Sequence, residues 1–104
     1  MTVQSIKRDS VQLVQQNYGG AIMNYRSDPR LTNCILNGNT AQYGGGIHNN
    51  DSSPLITTCI FIGNSATNDG GGIWNYSDSN PVLTNCSLSS NSAGGNGGGI
   101  YNLV

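Results

Sequence analysis

Residues 43–69 read YGGGIHNNDSSPLITTCIFIGNSATND, and the stretch occurs almost three times over. Before it stands YGGAIMNYRSDPRLTNCILNGNTAQ (18–42), after it GGGIWNYSDSNPVLTNCSLSSNSAGGN (70–96), and the partial copy GGGIYNLV closes the chain. Ile22, Ile47, Ile73 and Ile100 recur at intervals of 25, 26 and 27 residues. Pro29, Pro54 and Pro81 keep the same phase, as do Cys34, Cys59 and Cys86, and Asn39, Asn64 and Asn91. Recurrence at this period indicates an array of supersecondary units that bury their core by stacking.

The content of the unit selects among repeat folds. No L-x-x-L-x-L pattern is present, and helical repeats need 3.6-residue periodicity and good helix formers where these units hold Gly, Asn, Ser and Pro. A nonapeptide calcium solenoid has a period of about nine and an Asp that the glycine runs here lack. Short apolar alternations broken by turn residues are strands. The expected fold is all-β, a right-handed parallel β-helix of 25–27 residues and three short strands per coil, in roughly four coils. The whole chain reads as one domain: a degenerate first half-coil over 1–18, full coils at 19–43, 44–69 and 70–96, and a final half-coil at 97–104.

Side-chain alternation orients each strand. In Gly-Ile-Trp-Asn the recurrent Ile73 and Asn75 face inward and Trp74 outward. Leu83 and Leu88 both read as core but have opposite parity, so a corner falls between them. Asn85 suits that corner because Asn tolerates the left-handed conformation; Asn33 matches it and Thr58 departs from it. Ser-Ser-Asn-Ser-Ala (89–93) reads as the last turn. Coils about 4.8 Å apart bring equivalent side chains into columns. Asn24, Asn49, Asn75 and Asn102 then form an internal amide ladder, and Cys34, Cys59 and Cys86 a core thiol column.

The motifs Gly19-Gly20-Ala21-Ile22, with Gly-Gly-Gly-Ile at 44–47, 70–73 and 97–100, and Phe61-Ile62-Gly63-Asn64, with Leu at 36 and 88 in place of Phe, have a counterpart. The chain resembles the GGAI and FxxN repeats of chlamydial polymorphic outer-membrane proteins and related bacterial β-helix adhesins. The resemblance covers residues 14–104 and implies the β-helix, together with an extracellular or cell-surface location. It implies little about activity, because function resides in sites grafted on such folds.

Composition narrows the function. Charged residues are 9% of the 104 and the formal net charge is −1. The bases are Lys7, Arg8, Arg26 and Arg30, so no basic field for nucleic acid exists. No run approaches the ~18 apolar residues of a spanning helix, and the first ten residues lack the apolar core of a signal peptide. The glycine runs precede neither Lys-Ser nor Lys-Thr nor a helix, which excludes a phosphate loop. Three cysteines without C-x-x-C or a His partner read as buried apolar residues rather than metal ligands. With one His, no Glu and Asp residues at turns, neither an enzyme nor a cofactor is expected, although some β-helix proteins resemble polysaccharide lyases.

Two features point to partners. The outward columns Met23, His48, Trp74, Tyr101 and Tyr25, Asn50, Tyr76, Leu103 make a flat, partly aromatic strip, an expected interface for protein or glycan unless its rings serve only cross-strand stacking. The second is the half-coil pattern at the two ends. Val11, Leu13 and Val14 at one end and Ile100, Leu103 and Val104 at the other are expected to stack copies head to tail into an oligomer or filament. The leading expectation is therefore a self-associating structural solenoid, and the alternative is a fragment of a surface adhesin binding through the strip.

Overall fold

The computed structural model describes residues 6–7, 12–13 and 20–103. They form a parallel β-solenoid of about three turns without a helix. The first full coil holds β3 (Ile22–Tyr25), β4 (Arg30–Thr32), β5 (Ile35–Asn37) and β6 (Thr40–Tyr43). The second holds β7 (Ile47–Asn50), β8 (Leu55–Thr57), β9 (Ile60–Ile62) and β10 (Ser65–Asp69). The third holds β11 (Ile73–Tyr76), β12 (Val82–Thr84), β13 (Ser87–Ser89) and β14 (Ser92–Ala93), and β15 (Ile100–Leu103) begins another turn. Equivalent strands pair parallel and in register: Ile22 with Ile47, Ile47 with Ile73, Ile73 with Ile100.

The three expected strands per coil are present, and the segment read as the last turn also pairs. Thr40, Ser65 and Ser92 align across a short fourth ladder, which keeps those backbone groups bonded between coils. Each full coil accordingly turns at four left-handed residues. Arg26, Asp51 and Ser77 mark the first corner, Asn33, Thr58 and Asn85 the second, with φ between 50° and 62°. Gly38, Gly63 and Ser90 mark the third, and Gly44, Gly70 and Gly97 the fourth, with φ from 55° to 70°. The first glycine of each triplet, Gly44, Gly70 and Gly97, is thus a corner. The second is excluded from larger types by close approach: a Cβ on Gly71 would strike the carbonyl oxygens of Ser92 and Gly98.

Ile22, Ile47, Ile73, Leu31, Ile56, Leu36 and Phe61 are fully buried inside the coil, with Cys34 and Cys59 beside them. Leu83, Cys86 and Leu88 of the last full coil are partly buried. The thiols form no disulfide and donate to carbonyls, Cys59 Sγ to Thr57 O at 3.3 Å and Cys86 Sγ to Ile56 O at 3.4 Å. Burial pushes the Cys59 thiol up to about 11, so it stays protonated at neutral pH.

The interior is stapled by amides. Asn24 Nδ2 donates to Asn49 Oδ1 at 2.8 Å, Asn49 to Asn75 at 2.9 Å and Asn75 to Asn102 at 2.8 Å. A second ladder, which the recurrence of its residues alone does not reveal, runs from Asn39 through Asn64 to Asn91. Its amides also clamp main chain, with Asn64 Nδ2 donating to Leu36 O and Asn91 Nδ2 to Phe61 O, both at 2.9 Å. Serines 27, 52 and 79, two positions before each proline, form a third: Ser52 Oγ accepts from Ser27 N at 3.1 Å and Ser79 Oγ from Ser52 N at 3.0 Å.

The expected first half-coil over 1–18 requires correction where it is described. β1 (Ile6–Lys7) pairs antiparallel with β4, and β2 (Gln12–Leu13) antiparallel with β3, so neither continues the parallel coils. This segment has no glycine run and no Pro or Cys in phase to hold it in register, and an antiparallel partner satisfies the same ladder edge at least as well. Val11 and Val14 lie outside the described residues, as does Val104.

Candidate ligand cleft on the outer face

The sheet β3-β7-β11-β15 turns Ile and Asn inward and presents the columns of Met23, His48, Trp74, Tyr101 and of Tyr25, Asn50, Tyr76, Leu103 on its other side. This is the face on which the sequence places a flat strip, and it is not flat. Trp74 is only 6% exposed and His48 only 3%. What encloses them is the end of the preceding ladder. The corners at Gly44 and Gly70 carry Tyr43 and Asp69 alongside the start of the outer face, so the sheet and the ladder end form two walls of a cleft. Gly70 is required there in a second sense: a Cβ would lie 2.7 Å from that of Trp74.

Trp74 sits at the centre of a ring cluster. Its centroid lies 4.7 Å from that of Tyr43 and 4.5 Å from that of His48, both tilted, and Tyr76 stacks on it at 5.1 Å with planes 6° apart. Contacts at these separations are favourable beyond the area they bury. The cleft, of about 470 Å³, is lined by Met23, Tyr43, His48, Asn50, Asp69, Trp74, Tyr76 and Leu103. Tyr76 is 41% exposed, so the cluster offers a ring to solvent while its centre is dry. The indole Nε1–H of Trp74 is buried and meets no acceptor.

Electrostatics at the cleft have one sign. Burial pushes His48 down to about 4, so its imidazole is neutral at neutral pH. Asp69 Oδ1 accepts from Asn96 N at 2.8 Å, and among the described residues no Lys or Arg lines the space. Tyr43 is fixed by Asn68, whose Nδ2 donates to the phenol oxygen at 2.9 Å. Among the described residues, no three His, Cys, Asp or Glu side chains converge to hold a metal ion, and no helix is long and apolar enough to cross a membrane.

Sequence reasoning placed Met23, His48, Trp74 and Tyr76 on one face, and the cleft brings them together. Tyr25 and Tyr101 lie on the same face outside the cleft lining, and Tyr43 and Asp69 were missed. Their signal is local: each immediately precedes a left-handed glycine and stands five residues upstream of the outward residue His48 or Trp74. Of the other expected sites, the Asn and Cys columns lie inside the coil except for the exposed Asn102, Ile100 is half-exposed on β15, and Leu103 lines the cleft.

Two segments of the chain, residues 58–76 and 85–103, match the Chlamydia polymorphic membrane protein repeat. The resemblance drawn from GGAI and FxxN therefore holds. Both matches open on the second left-handed corner, at Thr58 and Asn85, and run through the interior ladder residues Asn75 and Asn102. The first contains Asp69, Trp74 and Tyr76 of the cleft. No curated protein and no solved structure matches the chain. The repeat and the parallel solenoid together fit a structural or surface-protein fragment, a non-enzymatic type of fold.

Proposed function

We propose that the chain is a non-enzymatic binding segment of a cell-surface protein and that the cleft around Trp74 takes its ligand. The observation that carries this is Trp74 itself, which is buried on the face of the sheet that points away from the core, with an indole donor lacking an acceptor. A tryptophan placed only to cover a strand needs no dry cleft around it, and a buried donor without a partner costs ~1–3 kcal/mol. Apolar and aromatic walls with a few polar groups are the usual make-up of a ligand site. The surface location rests on the polymorphic membrane protein repeat.

Head-to-tail stacking has less support. β1 and β2 already occupy the outer edges of β4 and β3, where a second copy would need free donors and acceptors.

The test compares the chain with its Tyr76→Ala variant on an array of oligosaccharides and of acidic, basic and neutral peptides. Binding that the variant loses, at an unchanged melting temperature, supports the proposal. Equal binding by both chains, or none by either, refutes it.

A further inference from the structure

The repeat supplies an internal comparison for the cleft. Tyr25, Asn50, Tyr76 and Leu103 occupy one column. In the first coil the next residue is Arg26, a corner residue whose guanidinium carbon lies 5.2 Å from the centre of the Tyr25 ring. Arg26 also reaches Asp51 of the neighbouring coil, with Nε 3.8 Å from the carboxylate. The same corner of the third coil is Ser77. Tyr76 therefore has the ring and the exposure of Tyr25 but not the cation its counterpart carries.

The surroundings of Tyr76 extend the argument. Tyr43 and Trp74 add two more electron-rich rings, Asp69 adds a carboxylate, and among the described residues no basic side chain lines the space. His48 brings no compensating charge, since its imidazole is neutral at physiological pH. Rings grouped with a carboxylate and lacking a resident cation are the chemistry that selects organic cations, whose charge is attracted by the ring faces while their carbon groups fill apolar space. A volume of about 470 Å³ accommodates such a head group.

We infer that the cleft binds an organic ammonium cation, held against the exposed face of Tyr76 beside Tyr43 and balanced by Asp69. This rests on the cleft being a ligand site, and it names the ligand class. The cation could be a free alkylammonium compound or a lysine side chain of a protein partner, and the two share this recognition.

Trp74 is the one tryptophan of the chain, so its fluorescence reports directly on the cleft. The titrants are choline, its uncharged isostere 3,3-dimethylbutan-1-ol, Nα-acetyl-lysine amide and methyl glucoside. Saturable shifts with choline or the lysine amide, about tenfold weaker for the isostere, are expected. Tyr76→Ala should abolish them. Asp69→Asn keeps an acceptor for Asn96 N, so the corner stays folded, and it should weaken the cation several-fold while leaving the isostere unchanged. A choline response without a lysine response indicates a free cation as the source, and the reverse a protein. Equal affinity for choline and its isostere, or a response to methyl glucoside alone, overturns the cation and leaves the ligand cleft standing. Silence with all four titrants overturns the cation, and the cleft falls with it only if the array also shows no binding that Tyr76→Ala loses.

Discussion

Replacing Asn49 with leucine isolates what the interior amide ladder contributes. Asn49 is fully buried, accepts from Asn24 at 2.8 Å and donates to Asn75 at 2.9 Å. Leucine of similar shape removes both bonds and leaves Asn24 Nδ2 and Asn75 Oδ1 in a dry interior. Each orphaned group costs ~1–3 kcal/mol, offset in part by the apolar surface that leucine buries. The expected net loss is about 2–4 kcal/mol, a large share of the ~5–15 kcal/mol that a domain of this size has. Replacing Asn24, Asn49 and Asn75 together leaves no buried orphan, because the remaining rung, Asn102, is exposed to water. The triple variant should therefore lose less than Asn49→Leu alone. Urea unfolding followed by Trp74 fluorescence measures both, with an unchanged m-value as the sign that the folded state is intact. If Asn49→Leu does not fold at all, the triple variant still decides, since it should fold. A triple variant that loses as much as the single losses combined, or a single loss below about 0.5 kcal/mol, refutes the reasoning.

Two further outcomes follow from particular residues. Thr58 occupies a left-handed corner with φ 54° where the other coils have Asn33 and Asn85, so Thr58→Asn should stabilise the chain by about 1 kcal/mol; an unchanged urea midpoint counts against the corner assignment. His48 is held neutral when folded down to about 4, against an ordinary value of 6.5, so between those values the unfolded chain binds a proton that the folded chain does not. Stability should fall as pH drops through 6.5 and level off below about 4, by about 3 kcal/mol in total. His48→Gln should remove that slope from the urea midpoint plotted against pH, and an identical profile for both chains contradicts it.

Much of the interior was legible in the sequence because repetition makes it so. An Ile or Asn that returns every 25 to 27 residues in a strand must stack on itself, and opposite parity at Leu83 and Leu88 demanded the corner that the structure places at Asn85. The fourth ladder was not legible. Thr40–Tyr43 and Ser65–Asp69 are half-exposed and carry no apolar alternation, so only their backbone pairing marks them as strands. The second amide ladder was visible as a recurrence, but its grip on Leu36 O and Phe61 O runs diagonally to the preceding coil, a geometry that spacing does not encode. The enclosure of Trp74 was missed for a related reason. It depends on Tyr43, at the end of the first coil, and on Asp69, at the end of the second, each followed by a left-handed glycine.

The contrast between inside and outside has a functional consequence. Inside the coil each column holds one kind of residue, because a ladder rung or a core layer tolerates no change that leaves its neighbours unpartnered. Outside, the same columns vary freely: Met23, His48, Trp74, Tyr101 in one, Tyr25, Asn50, Tyr76, Leu103 in the next, Arg26, Asp51, Ser77 at the corner. The recurrent positions build the solenoid in every coil alike and so cannot distinguish one coil from another. Any site must arise where the copies depart from one another. The largest departure is at Trp74 and Tyr76, where a bulky ring replaces His48 in one column and Ser77 replaces the cation that covers Tyr25. That is why a cleft forms beside the third coil, and why its ligand should be sought among groups able to stand where Arg26 stands in the first.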